Sequence, residues 1–218
     1  MDRKPVFSSL TAANLLSDGS WWEIYNEAFP LTEREPPNVI VNSIEKGMGQ
    51  AFVARSNGET IAIASTHLLK QPPAVFLVYL ATKKGLRGQG CGGELLEYAW
   101  HTGRRELLDH GYSATGLVAE VDAPDQSDDA QERHVRERRM AFFARHGAEA
   151  LPQIYTQPAV DGTTTVPMRL LFRPAEGPGL PDSTFTDALV RAIYLEKYHA
   201  ANGISEESLI SLLGAANH

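Results

Sequence analysis

The chain has 218 residues, 43% of them hydrophobic and 22% charged, the proportions of a globular protein large enough for a sizeable core. Its 20 basic and 27 acidic residues leave a net charge of −7, which disfavours nucleic acid or an anionic membrane as main partner, because both select basic surfaces. A single cysteine excludes an intrachain disulfide framework, and no apolar run or N-terminal leader is long enough to enter a membrane, so the expectation is a cytoplasmic monomer or homodimer.

Taken in order, residues 6–10 predict a first strand that ends at turn signals around Ser17-Asp18-Gly19. Ser20 reads as the N-cap of a helix carrying Trp21, Trp22, Ile24, Tyr25 and Phe29 and ending near Pro30. The aromatics read first as core. A charged, proline-stiffened segment, residues 31–37, leads to a second helix over 39–46 closed by Gly47. Residues 51–55 and 60–68 predict a hairpin across Ser56-Asn57-Gly58-Glu59, since Asn-Gly supplies the positive φ that a two-residue turn needs. His67 ends the second of these strands and reads as a packing or surface residue. No second histidine stands at metal-ligand spacing, so no metal is expected.

Next comes a short run rich in β-branched and aromatic residues, 75–81, bounded by Pro72-Pro73. It predicts a strand buried on both faces. Arg87-Gly88-Gln89-Gly90-Cys91-Gly92-Gly93 follows, and then Leu95, Leu96, Ala99, Trp100, Leu107 and Leu108 recur at helical spacing up to the stop at Gly111. A helix start offers unpartnered N–H groups and partial positive charge, and glycines let a diphosphate approach them. Four glycines in residues 88–93 make a mere tight turn the weaker reading, because each costs backbone entropy. Gly88-x-Gly90-x-x-Gly93 also satisfies the dinucleotide fingerprint, although Thr82-Lys83-Lys84-Gly85-Leu86 separates it from the strand. A Walker-type loop is excluded by the lack of GK[ST].

Residues 113–121 predict the next strand, with Leu117, Ala119 and Val121 on one face and Glu120 on the other. An acidic loop, 122–129, then offers Asp128 with Gln131, or Asp129 with Glu132, as a capping box for a helix reaching His146. That helix carries Arg133, Arg136, Arg138, Arg139 and Arg145. Residues 151–157 and 165–173 predict a final hairpin in which Pro167 demands an edge or a bulge. After a Gly/Pro linker over 174–181, Phe185, Ala188, Leu189, Ala192 and Ile193 mark one amphipathic helix. Ser205 caps another with Leu209, Leu212 and Leu213. Their apolar stripes require a partner surface.

Arg87-x-x-Gly90-x-Gly92 matches the Q/R-x-x-G-x-G/A signature of the GNAT superfamily of acyl-CoA-dependent N-acyltransferases. Leu80-Ala81-Thr82 and Phe142-Phe143-Ala144-Arg145-His146-Gly147 resemble its flanking strand end and its next helix end, so the resemblance covers residues 50–173. It implies an α/β (α+β) fold: a mixed, mostly antiparallel sheet with helices on both faces and two central parallel strands that splay apart. The domain would span residues 1–174, with a linker and helical extension at 175–218. The implied cosubstrate is acetyl-CoA, without metal, and the acceptor a primary amine. Leu80, Ala81 and Thr82 would bind pantetheine, and Arg87, Gly88, Gln89, Gly90, Cys91 and Gly92 the diphosphate. Arg136 and Phe143 would also lie at the cofactor, while Phe29, Glu33 and Arg34 fall on the acceptor side.

The family's usual general-acid tyrosine matches Phe143, and its usual asparagine seven residues earlier matches Arg136. Tyr79 and Tyr155 are then the replacement donors and Glu120 the candidate base, set to act in direct attack of the amine on the thioester. Two other functions stay open on the same residues. One is a non-catalytic acyl-CoA-binding or sensing module. The other is a dinucleotide-dependent oxidoreductase with Glu120 or Asp122 at the ribose.

Overall fold

A computed structural model of the chain describes residues 4–215. Strand β1 (Val6–Leu10) is followed by helices α1 (Ala12–Ser17), α2 (Gly19–Ala28) and α3 (Pro37–Glu45), then by the meander β2 (Gly49–Ser56), β3 (Glu59–Lys70) and β4 (Pro73–Thr82). Helix α4 (Cys91–Asp109), β5 (Gly116–Asp122), α5 (Ala130–Arg145), β6 (Glu149–Ala150), β7 (Tyr155–Gln157) and β8 (Val166–Pro174) complete the sheet. The tail adds α6 (Ser183–Ala192), a π-helical turn (Ile193–His199) and α7 (Glu206–Ala215). The strand order is β1-β2-β3-β4-β5-β8-β6, with β7 also beside β8.

Local chemistry accounts for most of these elements. Asn57 and Gly58 have φ of 51° and 83°, the left-handed pair that closes a two-residue hairpin in register with strand twist. Asp18, not Ser20, caps α2 by accepting from the Trp21 N–H at 3.0 Å. The expected turn before it is in fact α1, capped by Thr11. Asp129 caps α5. At Pro167 the strand has β7 on one side only, because pairing with β5 ends at Asp122↔Met168, so the missing N–H removes no bond to β5.

Helices cover both faces of the sheet. On one, α4 and Phe143 of α5 pack on Val75, Leu77, Leu117 and Ala119. On the other, α1–α3 cover the β1–β4 half with Leu15, Trp21, Tyr25 and Ile40. The tail covers the rest of that face, where Leu189, Ile193, Tyr194, Tyr198 and Leu209 meet Phe76, Val118, Leu170 and Phe172. A β-bulge positions the site. The register of β3 with β4 passes from Thr66↔Leu77 to Ser65↔Tyr79, leaving Val78 unmatched. The extra residue turns Tyr79 and Ala81 onto the face of α1–α3 and bends β4 where it leaves β5.

Candidate active site

β4 and β5 are the parallel pair, and they stay together for three residues only, from Val75↔Leu117 to Leu77↔Ala119. Beyond these pairs both strands continue without each other, β4 to Thr82 and β5 to Asp122. The gap opens into a cleft of about 400 Å³ whose walls are residues 77–82 and 119–122. Phe142 and Phe143 of α5 close one side, and Phe29 and Glu33 border it as well.

The glycine turn stands at the mouth of this cleft, with Arg87, Gly88 and Gly92 on its border. Gly90 caps α4 at φ 86° with no side-chain hydrogen bond, and a Cβ there would meet nothing within 4 Å. Its left-handed conformation favours glycine, and the empty volume in front lets a ligand reach the first N–H groups of α4. Gly93 has a different cause: a Cβ would lie 2.7 Å from the His146 ring, so this glycine lets α5 close on α4. Among the arginines of α5, Arg138, Arg139 and Arg145 border the cleft.

At the other end Glu120 projects from β5 into a cage of donors. Tyr155 donates to its Oε1, Gln157 Nε2 to Oε2 at 2.8 Å, and the Tyr198 hydroxyl lies 2.9 and 2.7 Å from the two oxygens. Burial raises the Glu120 pKa, against the hydrogen bonds of Tyr155, Tyr198 and Gln157, which hold it down. Both tyrosines are 1% exposed, and burial followed by the Glu120 charge pushes their pKa values well above the usual range. Glu33 titrates at about 7, raised first by burial and then by the Asp122 charge, while Arg139 and Arg136 act in the opposite direction. The Tyr79 hydroxyl donates to the Glu33 carbonyl at 2.8 Å and accepts from the Glu35 N–H at 2.9 Å. Glu35 itself is buried against Lys197 at 2.6 Å.

The family model for the GNAT acetyltransferases matches residues 19–147, more than half the chain and the whole of the cleft's two strands and glycine turn. The chain belongs to the GNAT acetyltransferase family. It is therefore an acyltransferase that uses acetyl-CoA. No curated protein matches it significantly. Among solved structures it resembles a protein of Bacteroides thetaiotaomicron assigned to the GNAT acetyltransferases, with a TM-score of 0.65 at 19% identity over 87% of this chain and 96% of that one. Arabidopsis thaliana NAA60 in complex with acetyl-CoA gives a TM-score of 0.57 at 12% identity over 80% and 100%. The ribosomal-protein-S18-alanine N-acetyltransferase of Escherichia coli gives 0.51 at 21% identity over 82% and 100%. At such identities these likenesses speak for the fold. They fit a glycine turn that follows the last strand of the antiparallel meander β2–β4, not the first unit of a parallel dinucleotide-binding sheet.

Within this GNAT acetyltransferase the residues singled out from sequence divide into three groups. Leu80, Ala81, Thr82, Arg87, Gly88, Gly92, Phe143, Phe29, Glu33, Tyr79 and Glu120 border one cleft. Gln89, Gly90 and Cys91 lie in the same turn, and the Cys91 thiol is buried in the core behind it. Arg136 and Arg34 fall outside the cleft lining. Arg136 donates to the Ala123 carbonyl at 2.9 Å and pairs with Glu132, and Arg34 donates to Asn26 at 2.6 Å. Arg136 thus ties the acidic loop to α5. Tyr155 is in contact with Glu120 but stands behind it. Tyr198 and Gln157 went unnoticed, since a tyrosine 78 positions from Glu120 in sequence carries no local signal. His67 is buried at 2% exposure, and burial, then the Lys197 charge, depresses its pKa.

Proposed function

We propose that this enzyme transfers the acetyl group of acetyl-CoA directly to a primary amine, with both substrates held together in the cleft. The observation that carries the reading is the gap beyond Leu77↔Ala119, with the glycine turn at its mouth and carboxylates at its far end. The residues fit the cosubstrate. No Cβ obstructs the approach to the turn at Gly88 or Gly90, and Arg87, Arg138 and Arg145 on the border match the charge of phosphates. β4 beyond Leu77 has no strand partner on the β5 side, so Leu80, Ala81 and Thr82 can receive an extended amide chain as a further strand would be received.

Bound acetyl-CoA supplies an activated acyl carbon: a C–N bond forms, the C–S bond breaks, and the thiolate leaves. The chain's own groups must hold the amine and take its proton. Two carboxylates border the acceptor end, Glu33 and Glu120. Glu120 accepts from Tyr155, from Gln157 and from the single O–H of Tyr198, which lies between its two oxygens, so three donors fix the carboxylate in place. We therefore assign it the role of a fixed negative wall that attracts the ammonium form of the acceptor. Glu33, titrating at about 7, is the group matched to accept the proton near neutral pH. The hydroxyls of Tyr79 and Tyr155 are committed to backbone and to Glu120, so the departing thiolate takes its proton from solvent.

The test is release of free CoA thiol from acetyl-CoA across a panel of primary amines, with acetylated product identified by mass spectrometry. At least one amine should accelerate release well above hydrolysis. A panel of small amines and peptide N-termini that all fail to do so would sink the reading.

A further inference from the structure

Three consecutive residues of the tail reach three separate parts of the domain. The Glu196 carboxylate accepts from the N–H groups of Lys70 and Gln71 at 2.7 and 3.0 Å, which seats the turn on the β3–β4 connection. Lys197 forms an ion pair with Glu35 at 2.6 Å, the two side chains 3% and 2% exposed, and Asn202 donates to the same Glu35 oxygen at 2.7 Å. Tyr198 donates to Glu120. An α-helix would spread three successive side chains over most of its circumference. The wider π-helical turn (Ile193–His199) alters that spread, and such turns recur at functional sites.

A buried Lys–Glu pair is a poor source of stability, because desolvation of both ions offsets their attraction. An apolar pair would hold the tail down as well. What the charged pair adds is fixed geometry. Glu35 belongs to the same loop as Glu33, and the Tyr79 hydroxyl bridges the two residues' backbones. Lys197 therefore holds the loop that carries one acceptor-side carboxylate, while Tyr198 orients the other.

We propose that the π-helical turn of the tail is part of the acceptor site: Tyr198 is a positioning residue for Glu120, and Lys197 for the loop bearing Glu33. The inference rests on the amine-acetylation reading above, in which these two carboxylates serve the acceptor. Glu120 is faced by Tyr155 and Gln157 from β7, by Tyr198 and Tyr194 from the π turn, and by the charges of Glu33 and the Lys197-paired Glu35 from the loop. Removal of one donor should then act through Glu120 and leave the diphosphate end of the cleft alone.

The experiment is a double-mutant cycle on the full chain with Tyr198→Phe and Glu120→Gln, using acetyl-CoA and the best amine of the panel. Tyr198→Phe keeps the ring that packs in the core. It should lower kcat/KM for the amine at least fivefold and move the pH profile, with acetyl-CoA affinity by calorimetry within twofold of wild type. Adding it to Glu120→Gln should cost nothing more, since its effect passes through the carboxylate. Losses that multiply, or a Tyr198→Phe enzyme with wild-type kinetics, would overturn the proposal. Should Tyr198→Phe not fold, the paired variant Glu35→Gln/Lys197→Met, which removes both buried charges, reads the other arm: amine KM should rise at least threefold with acetyl-CoA affinity kept, and an unchanged KM overturns it. A wild type inert toward every amine points instead to failure of the amine-acetylation reading. In that case, NMR titration of 13C-labelled Glu120 still tests the Tyr198 contact, because loss of the donor must raise its pKa and an unmoved titration refutes it.

Discussion

At the scale of single residues the cleft assigns different work to chemically alike groups. Glu33 and Glu120 are both half-buried carboxylates. Glu120 is held by three donors, and Glu33 is pushed up to about 7. For Glu33→Gln we expect kcat/KM for the amine to fall at least tenfold at pH 8 and the limb near pH 7 to vanish from the profile. The same shift has a stability consequence. A carboxyl whose folded pKa lies above its unfolded value, here about 7 against 4.5, favours the folded state fully below 4.5 and loses that contribution as pH rises through 7. Glu33→Gln should therefore gain in melting temperature relative to wild type between pH 5 and pH 8. Gly90 gives the residue-scale test of the other end. With φ at 86° and open space in front, Gly90→Glu places a carboxylate at the proposed approach of the diphosphate. Calorimetry should show at least a tenfold loss of CoA affinity, about 1.4 kcal/mol, in protein whose circular dichroism stays native.

At the scale of elements, short polar caps and one irregularity set the geometry. Asp129 accepts from the Glu132 N–H, and Glu132 in turn takes the Ser127 hydroxyl at 3.1 Å, so the expected capping box is half formed and extended by a serine. Replacing this cap by alanine should cost about 1 kcal/mol in urea unfolding. It should also weaken CoA binding modestly, because α5 carries Phe143 and the border arginines. The bulge at Val78 matters more. Strict alternation along β4 would aim Tyr79 at the α4 side of the sheet, away from the Glu33–Glu35 loop that its hydroxyl now bridges.

For the molecule as a whole, the tail is a layer of the core. Leu189, Ile193, Tyr194 and Tyr198 are each 2% exposed or less. Burial of one such side chain is worth about 1.5–3 kcal/mol, against a total stability of roughly 5–15 kcal/mol for a domain. Truncation after Pro178 should therefore leave an insoluble or largely unfolded chain, with Phe76, Val118 and Leu170 uncovered. A truncated protein that melted like the full chain would show that the tail only rests on the sheet. Among the described residues, no helix is long and apolar enough to cross a membrane.

What could be read from the chain alone was whatever depends on near neighbours. The Asn57-Gly58 turn, the strand–glycine turn–helix unit from β4 to α4, and the cap of α7 at Ser205, which accepts from the Ser208 N–H, are local because steric freedom and unpaired helix N–H groups are local. The glycine turn was legible for the same reason, since the motif from Arg87 to Gly92 is contiguous. The surroundings of Glu33 and Glu120 were not. Tyr198, Gln157, Lys197 and the committed states of Tyr79 and Tyr155 depend on which buried polar groups meet across 35 to 167 positions of sequence. Pairing in a low-dielectric interior is decided by three-dimensional packing, where an unpartnered polar group costs more than any local preference can supply. The tertiary structure alone decided that α5's Arg136 serves a loop, that Glu120 is caged, and that the tail reaches the site.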